Sequence, residues 1–89
     1  MSEAWERRLK LLAYMMRKEF AQTAEAAEYL GAERRTVRDD FAALAEHGVP
    51  LSAQPEDQPR HPDRTWILER SWRMTGIEVK LLERLALLL

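Results

Sequence analysis

No cysteine occurs among the 89 residues. A disulfide framework and any thiolate nucleophile or metal ligand are therefore excluded, which fits a reducing cytoplasm. Long hydrophobic runs are lacking as well. The longest, "LLAYMM" (11–16) and "LALLL" (85–89), fall far short of the roughly 20 residues a membrane-spanning helix needs. The charged start "MSEAWERRLK" holds no apolar stretch of signal-peptide length. Charge of one sign is not in excess either: 14 Lys and Arg stand against 15 Asp and Glu, a net charge of −1. A globally basic protein, the simplest footprint of nucleic-acid binding, is ruled out, so any such activity must rest on where the charges sit. Two histidines without cysteine give no metal spacing. No Ser-His-Asp set, glycine-rich phosphate loop or paired carboxylates stand in a catalytic setting. The expectation is no enzyme, no cofactor and no metal.

What is present is an ordinary globular composition, 46% hydrophobic and 33% charged. The length suits one compact domain. A domain this small buries only about 60–65% of its unfolded surface, so its core must be efficient or a partner must help.

Residues 2–20 predict a first helix, with Ser2 as N-cap and Glu3 in the first turn. Trp5, Leu9, Leu12, Ala13, Met16 and Phe20 recur at three- and four-residue steps as one apolar stripe. Arg7, Lys10, Arg17 and Lys18 lie off it. "TAEAAEYL" (23–30) predicts a short second helix capped by Thr23 and ended by Gly31, which tolerates the left-handed conformation. Residues 34–47 predict a third, with Val37, Phe41 and Leu44 as its inner face and His47, Gly48 and Pro50 as its stop. "VPLSAQ" (49–54) and "TWILER" (65–70) alternate as strands do. Between them, "PEDQPRHPDR" (55–64) carries three prolines and six ionisable side chains, a loop at the tip of a long hairpin. A fourth helix starts at Thr75, three residues before Glu78, the capping-box spacing.

Helix, helix, short turn "GAE", helix and hairpin is the order of a winged helix-turn-helix. Ala27, four residues before Gly31, presents a small side chain to the incoming third helix, and Leu30 and Val37 flank the turn. The segment "RLKLLAYMMRKEFAQTAEAAEYLGAERRTVRDDFAALAEHGVPLSA" resembles the N-terminal winged-helix domain of DeoR-like and WYL-domain bacterial transcription regulators. Leu30, Gly31, Arg34, Arg35, Thr36, Val37, Asp40, Leu44, Gly48, Val49 and Pro50 carry the likeness. "WILERSWRMTGIEVKLLERLALLL" is similar to the connector and apolar helix that follow the wing in WYL regulators. Three features depart from the pattern. Glu33 stands where a small capping residue is usual, Asp39 where a basic residue is usual, and the wing tip is long and proline-rich.

The fold class that follows is mainly α with a small β-hairpin: a winged helix-turn-helix, with three-helix core and wing, followed by a C-terminal apolar helix. Residues 1–70 form the DNA-binding domain and 71–89 the connector and final helix. The resemblance implies a sequence-specific, double-stranded-DNA-binding transcription regulator of the bacterial cytoplasm, with the third helix in the major groove and the hairpin 49–70 as wing. On a wheel of 100° per residue, Val37, Phe41 and Leu44 cluster on one side. Arg35, Asp39 and Ala42 fall opposite, flanked by Thr36 and Arg38. Arg35 and Arg38 lie one turn apart near the N-terminus, where recognition helices meet base edges, and arginine grips guanine O6 and N7 with two bonds. Arg34 is assigned to phosphate and Thr36 to a phosphate or a thymine methyl. Asp39 either accepts from cytosine N4 or pairs with Arg35 or Arg38. Asp40 lies to the side, placed for a bond within the protein. Arg60 and Arg64 in the loop are further DNA contacts. Trp5, Trp66 and Trp72 read as packing residues.

Leu81, Leu82, Leu85 and Leu88, with Leu89, exceed what so small a domain hides, and such a patch marks an interface. A homodimer is expected, or a link to a sensor domain that this chain lacks. The chain then reads as the DNA-binding part alone, without membrane contact. The alternative is a winged-helix protein-interaction adaptor that docks through the same apolar helix and leaves DNA alone.

Overall fold

A computed structural model describes residues 3–54, 57, 64–72 and 84. Helix α1 spans Glu3–Lys18, α2 Thr23–Leu30 and α3 Arg34–Glu46. Strand β1 spans Phe20–Gln22, β2 Leu51–Gln54 and β3 Thr65–Leu68, followed by a single 3-10 turn at Arg70–Trp72. Three helices and a small antiparallel sheet in the order β1-β3-β2 form the domain, an arrangement consistent with a winged helix-turn-helix. The predicted cap at Ser2 and the predicted fourth helix from Thr75 lie outside the described residues.

The core takes the expected inner face of α3, whereas on α1 it includes Leu11, Tyr14 and Met15, which lie off the expected stripe, and leaves Leu9 only half-buried. Val37, Phe41 and Leu44 from α3 are buried with Leu11, Leu12, Met15 and Met16 from α1 and Ala26 and Ala27 from α2. Trp66 of β3 lies flat against Phe41, ring centroids 4.7 Å apart and 10° from parallel. The sheet is thereby fastened to the inner face of α3. Leu30, Trp5 and Ala32 pack at the margin of this core.

The turn between α2 and α3 follows from Gly31. Its φ of 64° is left-handed, and the Ala32 N–H reaches back five residues to the Ala27 carbonyl, the closure that glycine favours at a helix end. The same device ends α3. Gly48 has φ 99°, and the Val49 N–H donates to the Leu44 carbonyl, which turns Val49 into the core.

The strands are shorter than expected, Leu51–Gln54 and Thr65–Leu68, and two further expectations change. The first helix, predicted to run through Phe20, ends at Lys18. Glu19 adopts a left-handed φ of 75°, and Phe20–Gln22 form an edge strand paired with β3, Phe20 opposite Ile67 and Gln22 opposite Thr65. Phe20 is 57% exposed and belongs to no helical stripe. A three-residue strand is too short to show a period of its own, so its apolar residue counts as one more helical step. Thr23, predicted as the cap of α2, is instead its first residue. Gln22 occupies the cap position without a side-chain bond. The Thr23 hydroxyl is buried, donating to the Arg64 carbonyl and accepting from the Trp66 indole N–H at 3.1 Å. Its backbone N–H donates to the same carbonyl. Thr23 thus joins α2 to β3.

Candidate nucleic-acid interface

Helix α3 presents two chemically distinct sides. Val37, Asp40, Phe41 and Leu44 are buried. Arg34, Arg35, Asp39 and Ala42 are exposed, with Thr36 and Arg38 half-buried beside them. The N-terminal end of α3 therefore combines two exposed guanidinium groups, a third at the margin and the helix's open backbone N–H groups, whose dipole favours anions. Glu33 occupies the cap position with no side-chain bond to the helix, so those first N–H groups are not closed off by its carboxylate.

The cations of α1 bond carboxylates or a hydroxyl. Arg7 and Arg8 of α1 both bond the fully buried Asp40 of α3: Arg7 through Nε to Oδ2 and through Nη2 to Oδ1 at 2.8 Å, Arg8 through Nε to Oδ1 at 3.0 Å. The bond to Asp40 holds the Arg7 guanidinium above its usual pKa. Arg8 also lies 4.9 Å over the Trp5 ring, whose other neighbour is His47. Lys10 pairs with Glu6 at 3.6 Å. Lys18 pairs with Glu25, which in turn accepts from the Tyr14 hydroxyl. Arg17 donates to the Tyr29 hydroxyl at 3.1 Å. Glu6, Glu25 and Asp40 thus face the bases of α1, while Arg34 and Arg35 stand exposed at the start of α3.

The placement of the other predicted residues is mixed. Asp40 does bond within the protein. The sequence offers a signal for this in "ERR" (6–8) and the "DD" pair (39–40), but not the distance between them. Arg64, expected as a DNA contact in the loop, is 7% exposed and lies 5.5 Å over the Trp66 ring at the base of β3. Packing against Trp66, which also stacks on Phe41 and is itself buried, draws it inward. No ion pair joins Asp39 to Arg35 or Arg38 among the described residues. Arg60 and Leu81, Leu82, Leu85 and Leu88 lie outside them. Among the described residues no cluster of three or more His, Asp or Glu is placed to hold a metal ion, and no helix is long and apolar enough to cross a membrane.

Residues 7–52, just over half of the chain, match the family model described as a DeoR-like helix-turn-helix domain. The chain belongs to the DeoR-like helix-turn-helix family. The match starts at Arg7 and ends within β2, so it contains the Arg7–Asp40 pair, the Gly31 turn and all of α3. Membership implies a DNA-binding transcription regulator. No curated protein and no solved structure matches this DeoR-like domain.

Proposed function

We propose that this domain is a sequence-specific regulator that inserts α3 into the major groove of duplex DNA. Arg35, Thr36, Arg38 and Asp39 face base edges, Arg34 contacts phosphate, and the hairpin built on β2 and β3 acts as the wing, with Arg60 near its tip. Two copies pair through Leu81, Leu82, Leu85 and Leu88 and meet half-sites about 34 Å apart, one helical turn, or a multiple of it. A WYL-type sensor domain completes the regulator. The observation that carries this reading is the exposed Arg35 on the side of α3 opposite Val37, Phe41 and Leu44. That is the geometry a recognition helix requires: one side in the core and arginine on the other, next to the helix N-terminus.

The test is the double variant Arg35→Ala/Arg38→Ala. Specific duplex binding disappears while the thermal melt stays nearly unchanged. Retained binding assigns DNA to another surface. The adaptor reading draws on the balanced charge, and a salt titration with random duplex separates the two. Affinity that falls steeply with salt reports released counterions and hence phosphate contacts. Indifference to DNA at low salt favours the adaptor.

A further inference from the structure

Arg35 and Asp39 stand four residues apart on the outward side of α3, both exposed. Among the described residues no ion pair joins them. Opposite charges at this spacing are neighbours on a helix surface, but a base placed N-terminal to an acid is the weaker order, set against the helix dipole. Both groups therefore remain available to a ligand. A carboxylate on a side that faces DNA needs a chemical reason, because the phosphates repel it.

We propose that Arg35 and Asp39 act as a donor–acceptor couple that reads a guanine and, within about two base-pair steps of it, a cytosine. This rests on α3 being the helix that enters the major groove. An ionised carboxylate only accepts hydrogen bonds. In the major groove, guanine N7 and O6 and thymine O4 are acceptors that repel it, and adenine sets its N6 donor beside the N7 acceptor. Cytosine N4 offers a donor without that neighbour. Arg35 supplies the complementary fork for guanine O6 and N7. Four helical residues rise about 6 Å, against 3.4 Å per base-pair step, which sets the separation of the two bases. Asp39 adds discrimination rather than affinity: it penalises every sequence that lacks the amino group where the carboxylate lands.

Selection from a random duplex pool with the unaltered chain, Asp39→Asn, Asp39→Ala and Arg35→Ala tests this. The unaltered chain enriches a motif holding the guanine and the nearby cytosine. Asp39→Asn, nearly the same shape but both donor and acceptor, moves the preference at the cytosine position to adenine, with discrimination for cytosine falling roughly tenfold. Asp39→Ala flattens that position alone and tightens binding to unrelated duplex. Arg35→Ala flattens the guanine position and leaves the other. Melting curves of all four proteins check that each is folded. An enriched motif that survives Asp39→Asn unchanged at every position overturns the couple but leaves groove insertion standing. No enriched motif for any of the four proteins overturns groove insertion, and the couple with it.

Discussion

Asp40 of α3 is gripped by Arg7 of α1 through both carboxylate oxygens, and Asp40 has no exposed surface while the Arg7 side chain keeps about a quarter of its own. The pair fixes where α3 lies on α1, and so which of its residues face outward. Arg8 adds a third bond to the same carboxylate. Removing the acid strands two cations with part of their surface still able to rehydrate, near the low end of the roughly 3–5 kcal/mol seen when a buried pair loses one partner. Asp40→Ala is expected to cost about 3 kcal/mol in urea denaturation. Arg7→Ala costs less, because Arg8 still holds the carboxylate. A larger loss for Arg7→Ala than for Asp40→Ala would contradict this account.

Thr23 supplies the second test of how the domain is joined. Its hydroxyl accepts from the Trp66 indole N–H, and both are buried. Thr23→Val keeps the shape and leaves that N–H without its acceptor, a loss of about 1–3 kcal/mol. Thr23→Ser retains the oxygen and costs less. Denaturant midpoints of the two variants decide it, with tryptophan fluorescence reporting on the ring.

Both helices of the helix-turn-helix were legible in the sequence because their signals are local. The second runs over 23–30 as expected, and Gly31 and Gly48 mark stops that their positive φ angles require. The inner side of α3 followed from spacing alone. What was missed depends on distant partners. Phe20 became a strand residue because β3, more than forty positions away, offered an edge to pair with. Thr23 gave up the capping role because Trp66 and Arg64 arrive beside it.

Glu19 holds a left-handed backbone that glycine adopts freely. Its carbonyl accepts from the Leu68 N–H at 3.0 Å and its N–H donates to Met15, so the conformation is fixed from both sides. For an L-residue this conformation costs about 1–2 kcal/mol, while glycine returns about 0.4–1 kcal/mol through the freedom of the unfolded chain. Glu19→Gly is therefore expected to match or exceed the parent stability by up to about 1.6 kcal/mol. Glu19→Val, branched at Cβ, loses stability. Chemical denaturation of both variants gives the comparison, and a destabilised glycine variant would locate the cause of the turn in the glutamate side chain.

Acid and alkali should weaken the contact between α1 and α2 from opposite directions. Glu25 is held below its usual value of 4.5, first by the hydrogen bond from Lys18. A lowered carboxyl pKa contributes stability that is complete above the unfolded value and fades as pH falls through the folded one. Tyr14 is pushed above its usual 10.0, first by burial and then by the Glu25 charge. Its contribution is complete below pH 10 and is lost as the phenol ionises. The Lys18–Glu25 pair is exposed on both sides, so salt screens it and its share is small. Glu25→Gln should be slightly less stable than the parent at pH 7, and the two denaturation midpoints should converge as the pH falls below 4.5 and the carboxylate takes up its proton. Tyr14→Phe should flatten the decline above pH 10. A Glu25→Gln deficit that persists undiminished at pH 3 would assign it to lost packing and not to charge.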